Sequence, residues 1–277
     1  MNSIPQLDEN EQELNSSVTN FFKEYKVSNL LQISHAEKEK GVSALKIFRY
    51  LFCLIFSDRS MYMQIKTGKF KASFSKNTVY RFLGSTKTNW LRFTTMLSEM
   101  VANRFMRKLT DEKRDDVFII DDTFYAKAGY KKSELVAKVS DHVTMKHQKG
   151  FRLLTLGWSD GNSFVPVNFH LMSSAKDQNV LDTCKEFDKR SIAGKRRKQA
   201  RAKATDVLVD LLRSAIHPCR AFCKVCPVRY MVLFPEDHLP HQKGMQSGYH
   251  RHGQKKFKDQ VSLERTKTRH QGNLLSQ

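Results

Sequence analysis

The feature that most constrains the fold is a change of hydrophobic pattern in the middle of the chain. The short apolar run VFIID begins at Val117 and ends in the acidic pair Asp121-Asp122. A continuous apolar run of this length suits a strand that is buried on both faces. Two further apolar runs, GFRLLTLGW and SFVPVNFHLM, flank the sequence SDGN at 159–162. Because Asp-Gly between apolar runs favours a hairpin, we predict three strands, the first ending in carboxylates.

The chain before this run has a helical pattern, from Val42 to about Leu109. The segment ALKIFRYLFCLIF has a broad apolar face, is too short to span a bilayer, and is interpreted as a buried helix. After it we predict two helices around a turn at Gly84-Ser85, with Ser75 as the N-cap of the first. This pair resembles a helix-turn-helix, although an antiparallel helix pair with a solvated basic face is an alternative. Its basic residues are Lys76, Arg81, Lys87 and Arg92.

The charge of the chain indicates a polyanionic partner. The 277 residues include 48 Lys and Arg against 28 Asp and Glu, which gives a formal net charge of +20. A charge of this size most often serves nucleic-acid binding. The polar, acidic N-terminus shows no signal peptide, and the five cysteines are an odd number. We therefore expect a cytoplasmic protein with no disulfide framework and no membrane partner.

The middle run also carries a family resemblance. VFIIDD, DHV and GFRLLTLGWSDG occur in that order between Val117 and Ser174. They resemble the opening of the catalytic domain in DDE transposases of the IS4 type, including the IS701-like group. The resemblance implies an α/β fold, with a ribonuclease-H-like catalytic core behind an all-helical DNA-binding region. It also implies transposition of an insertion sequence, by cutting and rejoining double-stranded DNA at terminal inverted repeats, with target DNA as a further partner and a homodimer left open.

The resemblance extends over about residues 40–215 and suggests a division of the chain. We expect a polar lead-in with little core material at 1–40 and a helical DNA-binding region at 41–110. A partial ribonuclease-H-like core would follow at 111–215, and an irregular basic tail at 216–277. Within the core, the strand, hairpin and helix order implies a fourth strand that carries a second acid.

The chemistry implied by the family needs carboxylates that hold two divalent ions, Mg²⁺ or Mn²⁺. Asp121 and Asp122 are the candidates at the end of the first strand, and adjacent strand residues face opposite ways. An E-D-T style of alignment selects Asp122, with Thr123 beside it, whereas an I-D-G-T style selects Asp121. We favour Asp122 as catalytic residue and metal ligand, and interpret Asp121 as a strand-end residue that caps the following turn.

Other polar residues near the strands have weaker claims to chemistry. Asp160 is predicted to serve the hairpin turn, and Asp141, His142 and His147 to have structural or DNA-proximal roles. A basic cluster after the hairpin could contact phosphates, in which case DNA affinity would fall as salt rises; a solvated helix face is the alternative. The cluster comprises Lys195, Arg196, Arg197, Lys198, Arg201 and Lys203.

The tail after Ala215 loses strand and helix periodicity and gains His, Gln, Lys and Cys. One interpretation is a zinc site, which would make the chain a zinc-stabilised nucleic-acid-binding protein. The spacing is not that of a standard finger, and no hairpin or capped helix frames it. The zinc-ligand candidates are Cys219, Cys223, Cys226, His238 and His241.

A second interpretation is that the tail is translated in the wrong frame. Tyr230-Met231-Val232 forces a Trp when its codons are read one nucleotide later, and permitted codons from Cys223 onward give AKYVLFDIWF in that frame. This string contains a strand ending in Asp, as the family requires. On this view Glu236 and Asp237 are coincidental, and the second and third acids are missing. We then expect a catalytically inactive transposase fragment; a non-enzymatic DNA-binding remnant is the alternative.

Overall fold

A computed structural model describes residues 9–38, 40–57, 60–109, 117–129, 133–141, 145–182 and 188–216, and the backbone of 229–232. Helices come first, and an antiparallel sheet with two more helices follows. This mixed arrangement is consistent with the ribonuclease-H-like α/β fold preceded by helices that the sequence predicts. The first helices are α1 (Glu9–Glu24), α2 (Val27–Ile33), α3 (Ala44–Cys53), α4 (Met61–Lys66), α5 (Lys76–Leu83) and α6 (Trp90–Arg104).

Short polar side chains mark where several of these helices begin. Ser43, Ser60 and Asn89 each precede a helix, and each accepts a backbone N–H from the first turn. Ser75 lies at the predicted N-cap position of α5, but its hydroxyl faces that of Thr78 at 3.3 Å and caps no backbone N–H. The two helices predicted around Gly84-Ser85 are thus confirmed as α5 and α6.

The helical part has its own apolar core, to which α1 and α2 contribute heavily. The expectation that residues 1–40 add little core material is wrong. Val18, Phe22 and Tyr25 recur at three- and four-residue spacing, so one face of α1 turns inward. Rings from α1 and α3 meet there: Phe21 stacks on Phe52 with centroids 5.6 Å apart. Further buried residues of this core are Val27, Leu30, Leu31, Ile47, Val79, Phe82 and Phe93.

The sheet is built around two long antiparallel strands. Val117 pairs with Ser159 and Ala126 with Gly150, so the first strand runs well beyond the predicted apolar run. The predicted hairpin at 159–162 is confirmed, whereas the short strand that pairs with the start of the long third strand was not foreseen. The strands are β1 (Val117–Ala126), β2 (Ala137–Asp141), β3 (Lys146–Ser159), β4 (Phe164–Met172) and β5 (Arg229–Val232).

Strand β5 departs, at residues 229–232 alone, from the expectation that the chain after residue 216 is irregular. Its backbone pairs with β1 in parallel, with Val117 opposite Arg229 and Ile120 opposite Val232. The order across the sheet is therefore β4-β3-β1-β5, with β2 beside the first part of β3. Because parallel strands point the same way, β5 runs toward the part of β1 that carries Asp121 and Asp122.

Helices α7 (Ile192–Ala200) and α8 (Ala204–Ile216) follow the hairpin, as the basic helical pattern predicts. The buried Asn168 of β4 fastens α8 and α6 to the sheet. Its Nδ2 donates to the Leu211 carbonyl at 3.2 Å, to Ser214 Oγ at 3.0 Å and to Thr95 Oγ1 at 3.4 Å. Among the described residues, no helix is long and apolar enough to cross a membrane.

Candidate active site

The two acids of the middle run lie on opposite faces of β1. Phe118, Ile120 and Asp122 share one face, and the first two side chains are buried there. Asp121 shares the other face with Thr123 and Tyr125, and all three are exposed. Asp121 is therefore a mid-strand residue, since β1 continues to Ala126, and its interpretation as a turn cap is wrong.

Asp122 forms an ion pair with Arg152 of β3. Arg152 pairs across the strands with Phe124, so its guanidinium lies diagonally beside Asp122 on the same face. Arg152 Nε donates to Asp122 Oδ1 at 3.2 Å, and Arg152 Nη2 donates to the other oxygen. The Asp122 side chain is 17% exposed and that of Arg152 is 40% exposed. A two-bond contact of this kind fixes the carboxylate's orientation and balances its charge.

Asp121 has a different environment, on the more open face of the sheet. Its Oδ2 accepts a hydrogen bond from Thr123 Oγ1, and its cross-strand neighbour is Thr155. Beside Thr155 an apolar groove of about 620 Å³ lies between this face and α6. Its lining includes Leu153, Phe169 and Leu171. Asp121 is thus freely reachable from solvent, whereas Asp122 must exchange a guanidinium for any new partner.

Both carboxylates are of the right chemical type for a divalent cation. Asp oxygens are hard donors, which Mg²⁺ and Mn²⁺ prefer. Across the described ranges, however, no group of three His, Cys, Asp or Glu side chains could hold a metal ion. Glu236 and Asp237, and the zinc candidates from Cys219 to His241, lie outside those ranges. Because Asp121 and Asp122 lie on opposite faces of β1, the described part of the site supplies one carboxylate ligand to a metal, and either of the two could be that ligand.

Three arginines of the basic cluster hold α7 and its C-terminal end against the rest of the fold. Arg196 Nη2 donates to the Phe169 carbonyl at 2.9 Å, and burial lowers the pKa of its guanidinium to about 10. Arg197 pairs with Glu134. Arg201 pairs with Asp177 and donates to the Ala175 carbonyl at 2.9 Å. Lys195, Lys198 and Lys203 are exposed on the same stretch.

Beside Arg196 lies His170 of β4, a buried titratable group that the sequence did not single out. Its Nδ1 faces the Leu171 carbonyl at 3.0 Å. Burial, and secondly the positive charge of Arg196, lower the pKa of His170 to about 4. The imidazole is therefore neutral at neutral pH, and its place under α7 gives it a structural role.

The remaining predicted residues are spread over the fold. Lys76 begins α5 and is exposed, and Arg81 is exposed on the same helix with its Nε 3.3 Å from the Asn77 carbonyl. Asp160 serves the hairpin turn as predicted, because its Oδ1 accepts the N–H groups of Asn162 and Ser163 at 3.0 and 2.6 Å. Lys87 lies in the turn before α6 and Arg92 in the first turn of α6, and both are exposed. His147 pairs with Ser140 in the sheet, and Asp141 ends β2. His142 lies outside the described residues.

Arg152 is the site residue that sequence reasoning missed. It occurs in GFRLLTLGW, where the alternating pattern indicates a strand but not which strand residue lies beside it. Its contact with Asp122 depends on the register of β1 against β3. The detectable signal was the single charged residue in the run GFRLLTLGW, because a half-buried arginine requires a partner.

Comparison with known proteins assigns the family. No curated protein and no solved structure matches the chain. A family model described as DDE superfamily endonuclease matches residues 52–222, which is more than half of the 277 residues. The match includes α5, α6, the strands β1–β4 and the helices α7 and α8. Endonucleases of this superfamily typically use divalent metals, and a DDE nuclease domain implies a DNA substrate. The chain belongs to the DDE superfamily endonucleases.

Proposed function

We propose that the chain derives from an insertion-sequence transposase of the IS4 type, which cleaves and joins DNA at terminal inverted repeats. The observation that carries the proposal is the Asp121-Asp122 pair on the central strand of a ribonuclease-H-like sheet. The pair lies within the matched family region. Parallel β5 runs beside β1, where the resemblance places a fourth strand, but its residues Arg229–Val232 include no second acid.

Asp122 is the proposed first metal ligand, with Asp121 as the alternative. In the intact family, two bound Mg²⁺ or Mn²⁺ ions would activate the nucleophile and stabilise the leaving oxygen. Arg152 balances the charge of Asp122 and holds its carboxylate in place. Since a cation at the carboxylate would displace the guanidinium, Arg152 would then be available to a DNA phosphate nearby. Asp121 could bind a cation without displacing a guanidinium, so it stays the alternative metal ligand.

The chain by itself is proposed to lack strand-transfer activity. A two-metal site needs carboxylates beyond the first, and the described residues bring no third ligand to Asp121 and Asp122. The frame interpretation supplies a reason, because a strand ending in Asp appears when the tail codons are shifted. The test is the nucleotide sequence from codon 205 to several hundred bases past the stop. An open shifted frame that encodes an Asp strand and a Glu-bearing helix supports the proposal, and codons that forbid them contradict it.

DNA binding is proposed to survive in this chain even without catalysis. Exposed Lys195 and Lys198 on α7, and Lys76 and Arg81 on α5, are placed to reach phosphates. Arg196, Arg197 and Arg201 have protein acceptors, so they contribute charge more than direct contacts. The chain would then occupy transposon ends and inhibit an intact copy. Electrophoretic mobility shift with end DNA tests this, and the absence of any shift would contradict it.

A further inference from the structure

A polar groove in the helical part lies between the segment before α3 and helix α5. Its volume is about 410 Å³. The floor includes Ala36, Val42 and Phe82, of which Ala36 and Phe82 are buried. One wall is formed by residues 36–38 and 40–42 and the other by α5. The Asn89 N–H donates to the Ser34 carbonyl at 2.8 Å, which links the segment just before the first wall to the turn that follows α5. The groove therefore has a packed floor and walls held by backbone contacts.

The walls of the groove carry an excess of positive charge. Lys38 and Lys40 come from one wall and Arg81 from the other, and all three are exposed. Glu37 is the one carboxylate among the lining residues that the structure describes. Glu39 lies outside the described residues. In the part of the chain that the structure describes, no ion pair engages the three cations. Thr78, Ser85 and Thr88 also line the groove; the Thr78 hydroxyl lies 3.3 Å from that of Ser75, and the Thr88 hydroxyl donates to the His35 carbonyl at 3.5 Å.

We propose that this groove binds a phosphate of the DNA backbone. Lysine and arginine side chains that line one groove are groups that recognise a phosphate, and Arg81 can present two N–H donors to it. An uncharged apolar ligand would leave these cations unpaired. The inference rests on the proposed function only in taking DNA as the source of the phosphate.

The shape of α5 supports a DNA source. Its buried side is formed by Thr78, Val79 and Phe82, whereas Tyr80 and Arg81 are exposed and Arg81 lines the groove. An exposed aromatic ring on the helix that carries Arg81 suits contact with a sugar or base edge of the same DNA. The net charge of +20 also attracts a polyanion more strongly than a single small anion.

The test compares the intact chain with a K38Q/K40Q/R81Q variant by fluorescence anisotropy on a labelled 30-bp duplex. Titrations run from about 50 to 200 mM salt, the range over which phosphate contacts change affinity steeply. We expect the variant to bind about tenfold more weakly. We also expect the slope of log affinity on log salt to shrink by about 1, the value for one lost phosphate contact.

The matched control removes the same charge elsewhere in the helical part. K23Q/K66Q/K69Q replaces three exposed lysines that do not line the groove. It should keep the wild-type salt slope. If the groove variant keeps its circular dichroism spectrum and binds like this control, the groove proposal is overturned and DNA binding by the chain still stands. If the wild-type chain binds no duplex, both proposals fail.

A gain-of-function variant protects the test against misfolding. E37Q removes the negative charge from the groove wall and should tighten duplex binding about twofold to threefold. Unchanged or weaker binding by E37Q would contradict the proposal.

Thermal melts in inorganic phosphate against chloride, at equal ionic strength, identify the source of the phosphate that the groove binds. A saturable shift that the groove variant loses assigns the site to any phosphate, and no shift assigns it to the DNA diester alone.

Discussion

At the scale of single residues, the contact that matters most is the pair between Asp122 and Arg152. It places a half-buried carboxylate and a guanidinium on one face of the sheet, next to buried Phe118 and Ile120. Asp121, one residue earlier, faces the other way, and its carboxylate accepts a hydrogen bond from Thr123. Two neighbouring acids thus differ in accessibility and in charge environment.

The R152Q substitution is predicted to strengthen divalent-cation binding. Removing the guanidinium leaves the Asp122 carboxylate without its competing cation, so Mn²⁺ affinity should rise about tenfold, which is about 1.4 kcal/mol. Electron paramagnetic resonance of free Mn²⁺ in the presence of the protein measures the change. R190Q is the matched control, because Arg190 is exposed and pairs only with exposed Asp188.

The double variant D122N/R152Q completes this test. If Asp122 is the ligand, the gain from R152Q disappears in the double variant, whereas D121N/R152Q retains it. A gain that is lost with Asp121 instead assigns the ligand position to the alternative residue. Equal Mn²⁺ affinity for wild type and R152Q would contradict the role given to Arg152.

The hydrogen bonds of Asn168 connect β4 with α6 and α8. Asn168 is 2% exposed and donates to groups on both helices. N168A should lower the free energy of unfolding by about 2–3 kcal/mol, because buried acceptors lose their donor and a small cavity remains. Urea denaturation measures this loss. N29A, at an exposed position of α2, should change stability by less than about 0.5 kcal/mol.

At the scale of elements, the junction between β4 and α7 is predicted to be sensitive to acid. The pKa of His170 is lowered to about 4 in the fold, against 6.5 for the free side chain. As pH falls below about 6.5, the unfolded chain takes up a proton that the folded chain does not. Stability from this group is therefore complete above pH 6.5 and is lost toward pH 4.

The expected loss between pH 7 and pH 5 is about 2 kcal/mol from this single group. Urea midpoints measured across that range should fall in the wild type and fall less in H170Q. H147Q is the control, because His147 is an exposed strand residue. Parallel pH profiles for wild type and H170Q would show that the imidazole does not stay neutral in the fold.

How far the sequence predicts the elements depends on the strength of their periodicity. β1, the β3–β4 hairpin and α8 have long apolar runs or a clear turn, and α7 lies in a basic helical pattern; these elements agree with the prediction. β2 has the sequence AKVSD, in which a short, partly polar run gives no strong period. The four-residue spacing of Val18 and Phe22 indicates an inward face of α1, but the many polar residues around them make this signal weak. β5 is held by pairing with β1, which local sequence does not reveal.

The candidate site divides in the same way. Its acids were predictable, because an apolar run that ends in carboxylates is a local signal. Their opposite directions also follow from strand geometry. The Arg152 contact was not predictable, since it depends on which residue of β3 lies beside Asp122. The structural roles of Arg196, Arg197 and Arg201 also emerge only from tertiary contacts, because a basic helix looks the same in sequence whether it contacts DNA or protein.

At the scale of the whole molecule, a strongly basic chain joins a helical part to a ribonuclease-H-like sheet. The matched family region runs from residue 52 to residue 222, so it includes α4–α6 and β1–β4 but not α1 or α2. The positive charge then serves two purposes: some cations hold the fold together, and exposed ones remain for a polyanion. DNA binding should therefore depend on the exposed lysines and Arg81 far more than on the paired arginines of α7.

Incubation of the purified chain with DNA that carries the ends flanking its own gene, in Mg²⁺ or Mn²⁺, tests both the transposase assignment and the proposed inactivity. Binding should be detected by mobility shift, and no cleaved or joined product should form. A product that requires the metal and disappears in D122N would confirm the ligand position but contradict the proposed inactivity. Neither binding nor cleavage of this DNA would contradict the transposase assignment for this chain.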